Sequence, residues 1–501
     1  MGPALAEPVF TSPPWRHPLL ATGPSDNEEG PCLRGLPYPP RTRHAPYPGA
    51  ARRAPTGLPM SPLIVFSHLR WNFVFQRPQH LMSRLAADHR VIFIEEPILD
   101  ANGPARVEAR VETAVDGTEV EVLVPFTPVA APGFDDAQLT VLLPLLEREL
   151  ARREIVEPLV WLYTPMALPL IASLGPSALI YDCMDELSAF RYAPAQLRQR
   201  ERALMASADL VLCGGPSLYA AREGQHPNLH CLPSAVDPTH FAPPTATPVG
   251  GGAADGGHER EHGSAGEAAG EVDPLAARAA ELQGDLAHPR LGYFGVIDER
   301  MDLELVAALA DARPDWQIIM VGPVVKIDAA SLPRAPNIRW LGLQSYAQLP
   351  RLLAGWDLCL MPFALNESTR FISPTKTLEY LAGGKPVVST AICDVISLYG
   401  GAVRIGRDAA GFIAACDAVL YESPQMRANW QKAAAAVVAA GTWEVATDRV
   451  RGWLAGLPAA ARPGVPAAIV PEPIPDPIPH PTADLPADSG VPAAAPALRA
   501  A

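Results

Sequence analysis

The residues best suited to chemistry lie in Ser373-Pro374-Thr375-Lys376-Thr377-Leu378-Glu379-Tyr380-Leu381-Ala382-Gly383-Gly384-Lys385-Pro386-Val387-Val388. Ser373 is a good N-cap and Pro374 suits a first turn, where its missing N–H would be unpaired anyway. Gly383 or Gly384 can close the helix and Pro386 prevents its continuation, so the pattern predicts a helix over 375–382 and a strand over 386–390. The preceding apolar run ends at Pro362, which places the helix start at the carboxyl edge of a sheet. Free N–H groups there, with Lys376 in the first turn, attract an anion. Glu379, one turn on from Thr375, can accept hydrogen bonds from paired hydroxyls. A diphosphate beside a ribose fits this arrangement. An ordinary capped helix with surface charges fits the spacing as well.

Three further loops follow strand-like runs. In Gly292-Tyr293-Phe294-Gly295-Val296-Ile297-Asp298-Glu299-Arg300, Gly295 lets backbone approach a ligand and Arg300 offers forked donors to phosphate oxygens. Alone, this also describes a surface arginine opening a helix. In Trp71-Asn72-Phe73-Val74-Phe75-Gln76-Arg77-Pro78-Gln79-His80, Pro78 opens a helix. Gln76, Arg77, Gln79 and His80 cluster at its start, where they can meet acceptor hydroxyls or a donor phosphate. Equally, Arg77 can pair with a carboxylate and His80 can be a hydrogen-bonded helix residue. In Asp182-Cys183-Met184-Asp185-Glu186, Asp182 and Asp185 face the same edge, either as cleft groups or as helix caps.

The 373–388 segment resembles the donor-site signature of GT-B glycosyltransferases of the group 1, family-4-like kind. Glu379, Ala382, Gly384, Pro386 and Val387 stand at its Glu-helix-Ala-x-Gly-x-Pro-Val positions. The resemblance implies that Glu379 holds the nucleotide's ribose, that Ser373, Thr375 and Lys376 face its diphosphate, and that Gly295 and Arg300 contact phosphate. The fuller signature has a second glutamate eight residues earlier. This chain has Phe371 there, and Glu367 or Asn366 in the adjoining loop is the substitute expected to hold the transferred sugar. The 66–80 segment is similar to a subgroup of cell-surface polysaccharide transferases, teichuronic-acid-type enzymes among them, that share W-x-F-x-x-Q-R-P-Q-H. The resemblance covers roughly 62–455.

The elements that must position these residues follow from periodicity. Apolar runs at 63–67, 91–95, 120–126, 159–163, 178–182, 210–214 and 229–232 alternate with helical patterns at 78–88, 139–154, 194–208 and 216–224. Strands at 291–295, 317–322, 338–341, 358–362, 386–390 and 403–406 alternate with helices at 303–312, 346–356, 375–382 and 411–421, and a last helical stretch covers 425–454. Continuous apolar strands joined by helices mean parallel sheets covered on both faces. The expected fold is α/β of GT-B type, two Rossmann-like doubly wound domains facing across a cleft: 60–241 as acceptor domain, 290–424 as donor domain and 425–457 as a C-terminal helical segment. The Gly/Ala-rich acidic stretch at 242–289 reads as a flexible linker. Of 57 prolines, 26 fall in 1–59 and 458–501, so both ends read as disordered Pro-rich tails.

A net charge of −14 argues against a general nucleic-acid binder, and seven cysteines without a C-x-x-C pair favour a reducing cytoplasm and no zinc site. The uncharged run 158–181 contains four prolines and reads as strand, short helix, strand rather than a membrane span. No Asp-x-Asp precedes residue 460 to hold a metal. The expected activity is sugar transfer from a nucleotide-diphosphate sugar, with UDP favoured by family habit, to a glycan or lipid-linked acceptor of cell-surface polysaccharide. Retention of configuration, no metal and no cofactor are implied by the resemblance. A lipid-linked acceptor would bring the protein to the inner membrane face. The rival readings are a GT-B-fold nucleotide-sugar epimerase and a degenerate sugar-binding protein.

Overall fold

The computed structural model describes residues 62–114, 117–190, 193–242 and 273–457. The tails read at 1–59 and 458–501 and most of the stretch at 242–289 lie outside these residues.

The first sheet contains β1 (Pro62–Ser67), β2 (Arg90–Glu95), β3 (Ile98–Leu99), β4 (Arg106–Thr113), β5 (Glu119–Thr127), β6 (Leu159–Leu162), β7 (Ala178–Cys183), β8 (Leu210–Cys213) and β9 (Leu229–Cys231). Its order is β3-β5-β2-β1-β6-β7-β8-β9, with β4 antiparallel to β5 and the rest parallel. The second contains β10 (Arg290–Phe294), β11 (Gln317–Val321), β12 (Ile338–Trp340), β13 (Leu358–Met361), β14 (Val387–Thr390) and β15 (Val403–Gly406), ordered β12-β11-β10-β13-β14-β15 and parallel throughout. In both sheets the strand order reverses beside the first central strand, β1 or β10, and opens a crevice at the carboxyl ends there. Central strands such as β1, β7, β10 and β13 are buried along nearly all their length and mainly apolar because helices cover both faces.

Several elements depart from expectation, among them the short strand β3 and the helix Cys393–Tyr399, neither of which was read from the sequence. The β4 hairpin was not expected: Arg106–Thr113 alternates charged and apolar residues and buries none of them fully, so its pairing with β5 comes from edge hydrogen bonding rather than burial. The stretch read as linker to residue 289 is partly ordered, since Pro274–Gln283 is a helix capped by Asp273, whose carboxylate accepts from the Leu275 N–H at 2.9 Å. Gln283 is buried at its end, donating to the Leu352 carbonyl and accepting from the Trp356 indole N–H. Alanine- and glycine-rich composition concealed a short amphipathic face.

The expected helical stretch after 425 is two helices, Pro424–Ala440 and Trp443–Ala455, separated at Gly441 with Thr442 capping the second. The first packs beside the helix Lys376–Ala382. The second returns to the first domain, where Trp443, Ala446 and Val450 join the core under β1 and β2. Trp443 stacks on His80 with ring centroids 4.7 Å apart. The chain therefore crosses between domains twice, and the final helix belongs to the first. No helix among the described residues is long and apolar enough to cross a membrane.

Candidate functional site

The helix Lys376–Ala382 follows the loop that leaves β13. Its buried face is Thr377, Leu378, Tyr380 and Leu381. Two contacts fix its rotation: the Phe294 N–H donates to Tyr380 Oη at 2.9 Å, and Thr377 Oγ1 donates to Met361 Sδ at 3.2 Å. With that face committed, Lys376 and Glu379 turn together to the other side and remain half-buried. Ser373 does not cap the helix as expected. The first turn begins at Lys376, Thr375 makes no side-chain cap, and Ser373 Oγ is buried without a partner among the described residues. Seven residues provide little macrodipole, so the full charge of Lys376 must supply most of any attraction for an anion.

Lys376 Nζ lies between two rings, 5.5 Å from the Tyr293 centroid and 5.3 Å from that of Phe363. The third wall is Gly295, at φ +141°, where a Cβ would stand 2.6 Å from Lys376 Cε. Glycine is required here by both backbone conformation and space. Burial and the Arg300 charge lower the Lys376 pKa to about 8, against the pull of Glu379, Asp298 and Asp185. Burial raises Glu379 to about 7, with Lys376 opposing it. Arg300 is held by Asp298, which is 2% exposed and takes contacts of 3.0 Å from Nε and 2.7 Å from Nη2. Burial opposes its charge, but Asp298 and then Asp185 more than restore it, so Arg300 stays cationic. Lysine, arginine and glutamate thus share one electrostatic neighbourhood lined by aromatic rings: two cations for a diphosphate and one carboxylate for hydroxyls.

The first domain faces this group with Asp185, half-buried on the loop after β7. Burial raises its pKa to about 6, opposed first by Arg300 and then by Arg77 and Lys376. Arg77, Asp182, Gln79 and His80, also singled out above, are engaged internally, whereas Gln76 is half-buried and joins them through its backbone N–H. Arg77 and Asp182 form a fully buried forked ion pair, Nε–Oδ2 3.0 Å and Nη2–Oδ1 2.7 Å, and Arg77 Nη1 also donates to the Leu232 carbonyl. Gln79 Nε2 donates to the carbonyls of Trp71 and Val74, while its Oε1 accepts from the Gln76 N–H. His80 is packed among Trp443, Phe75 and Tyr346. These four shape the loop after β1 from behind. Glu367 is exposed in a turn, its nearest cation Arg370 at 3.9 Å, and lines a separate cavity with Phe371.

Sequence reasoning missed Asp298, whose place two residues before Arg300 was the available signal. It also missed Phe363, which no local pattern marks because only the packing of β13 beside β10 brings it to Lys376. His68, after β1, was likewise passed over. Burial lowers its pKa to about 4, so it is a neutral imidazole, with Lys326 of the second domain adding to the effect.

Residues 288–422 match the family described as Glycosyl transferases group 1. Over 139 residues the chain is 30% identical to TuaH of Bacillus subtilis (strain 168), whose name assigns it to teichuronic acid biosynthesis glycosyltransferases. That match spans 26% of this chain and about 35% of the relative's length. Among solved structures, sucrose-phosphate synthase from Thermosynechococcus elongatus aligns with TM-score 0.55 and 15% identity, covering 79% of this chain and 98% of that one. Anabaena Alr3699/HepE in complex with UDP and glucose aligns with TM-score 0.54 and 13% identity, covering 79% and 100%. At these identities the structural likeness speaks for the fold.

Proposed function

We propose that this protein is a group 1 glycosyl transferase of GT-B fold that moves a sugar from a nucleotide-diphosphate sugar, UDP-linked, to a glycan or lipid-linked acceptor of cell-surface polysaccharide. The observation that carries the reading is the placement of Lys376 and Glu379 on one face of a helix, beside Gly295 and Arg300, at the carboxyl edge of the second sheet. Lys376 and Arg300 take the diphosphate, and Glu379 accepts from the ribose hydroxyls. Gly295 borders the same place, Thr375 and Ser373 directly precede Lys376 in the chain, and Asp185 faces it from the acceptor side.

In the reaction the bond from the sugar's anomeric carbon to the diphosphate breaks and a bond to an acceptor oxygen forms. Retention and independence of metal are taken from the family resemblance, with the acceptor's proton passing to the leaving phosphate. Negative charge grows on the diphosphate as the bond breaks, so fixed cations aimed at it lower the barrier; one such donor is worth about 3 kcal/mol, or ~100-fold in rate. A lipid-linked acceptor would place the protein at the cytoplasmic face of the membrane.

Isothermal titration with UDP, followed by UDP-glucose turnover, tests this. Lys376→Ala and Glu379→Ala are expected to lose UDP affinity ~100-fold and ~10-fold with little change in Tm, because neither side chain belongs to the buried face of its helix. Unchanged UDP binding in both variants overturns the assignment.

A further inference from the structure

A cavity of about 540 Å³ lies beside the donor loop, with walls from both domains. Its floor is built and self-satisfied. Arg222, 7% exposed, donates to Glu186 at 2.8 Å and to Glu201 at 2.7 Å. Ser188 Oγ donates to Glu186 at 2.6 Å, and Tyr181 Oη donates to Glu201 at 2.8 Å. Both floor carboxylates are therefore committed to fixed donors. Two lining guanidiniums are different. Arg198 and Arg202 stand one turn apart on the helix Leu197–Ser207, exposed, with no ion pair to either among the described residues. The wall from the second domain is Phe371 with Glu367, and Phe371 packs partly against the first domain's core.

This combination has a chemical reading. A pyranose ring presents an apolar C–H face to an aromatic ring and hydroxyls to polar groups. Two forked donors on neighbouring turns match an oxyanion with two or three equivalent oxygens. Neither Lys376 nor Arg300 lines this cavity, so it does not duplicate the diphosphate place. Phe371 stands two residues ahead of Ser373, so whatever touches Phe371 lies within reach of the donor helix. A solvated helix face would need neither the aromatic wall nor the buried Arg222 clamp.

We propose that this cavity holds the terminal sugar of an anionic acceptor, a pyranose carrying a carboxylate or a phosphate, with Arg198 and Arg202 reading the charge and Phe371 the ring. The inference rests on the transferase reading above and adds the acceptor's chemical class. Because the walls come from separate domains, acceptor binding and the approach of the two domains are linked.

The test is titration of full-length protein, saturated with UDP, with three probes: a galacturonic acid trimer, a neutral galactose trimer, and glucose 1-phosphate. The wild type is expected to bind an anionic probe, and Arg198→Ala/Arg202→Ala to bind it at least ~10-fold more weakly, with partial recovery in Arg198→Lys/Arg202→Lys. Preference for the uronide assigns a carboxylate; preference for the sugar phosphate assigns a phosphate. Equal binding of the neutral trimer, indifference of anionic binding to the alanine pair, or no binding of either anion overturns the inference. UDP affinity in the same samples keeps the two readings apart. If UDP binds both proteins alike while the anions ignore the arginines, only the acceptor inference fails. If UDP does not bind the wild type, the reading beneath it fails.

Discussion

Asp394 joins the two domains, and its replacement by asparagine gives a sharp test of how. The residue lies on the helix Cys393–Tyr399 of the second domain, is 1% exposed, and accepts through Oδ1 from the Ser217 N–H of the first domain at 2.8 Å. Oδ2 has no partner among the described residues, nor do the nearby hydroxyls of Ser217 and Ser373. A Cβ on Gly215 would stand 1.9 Å from Oδ2 and 2.8 Å from Ser373 Cβ, so the Asp394 carboxylate and Ser373 meet beside Gly215. Burial is the chief cause that lifts the carboxyl from 3.8 to about 6, the Ser217 contacts opposing it. A raised acid holds an extra proton in the folded state, so its stabilising effect is present at low pH and is lost as pH climbs from 3.8 through about 6. At about 1.4 kcal/mol per pH unit, that gap amounts to about 3 kcal/mol by pH 8. Asparagine keeps the acceptor for Ser217, adds N–H donors for the orphan hydroxyls, and cannot ionise. Asp394→Asn is therefore expected to match the wild type near pH 4 and to exceed it at pH 8, by on the order of 4 °C in Tm if the folded chain melts as one unit. Thermal unfolding at several pH values between 4 and 8 measures it. A Tm difference that stays constant with pH, or an asparagine variant less stable at pH 8, would refute the reasoning.

Gly295→Ala should drive Lys376 from its ring-lined position and strain the backbone, lowering UDP affinity ~100-fold; in a Lys376→Ala background the same change should add little, which a double-mutant cycle by titration checks. UDP affinity should be greatest between about pH 7, where Glu379 ionises, and about pH 8, where Lys376 loses its proton. Lys376→Arg should flatten the alkaline limb, and an affinity independent of pH from 6 to 9 contradicts this. Arg77→Met leaves Asp182 buried and unpaired and should cost about 3–5 kcal/mol in urea unfolding, whereas Arg77→Met/Asp182→Leu should recover most of that loss.

Local patterns carried most of the architecture. The central strands are mostly runs of apolar residues, the helices between them keep their 3.6-residue period, and Gly383 with Pro386 marks where the donor helix must stop; these signals reside in neighbouring residues and need no tertiary context. The side on which Lys376 and Glu379 fall was legible for the same reason, since the apolar face of one helix dictates its polar face. What the chain order could not decide was the destination of each polar side chain in the first domain. Arg77 and Asp182 are 105 residues apart, and only the pairing of β1, β6 and β7 brings them together in the interior instead of leaving them in the cleft. Phe363 reaching Lys376, Trp443 closing on His80, and Asp394 reaching Ser217 are likewise contacts between segments distant in sequence. A charged or aromatic residue carries the same local signature whether it meets a ligand or a buried partner. The difference lies in which distant atoms occupy the space around it, and that is set when the sheets and domains pack.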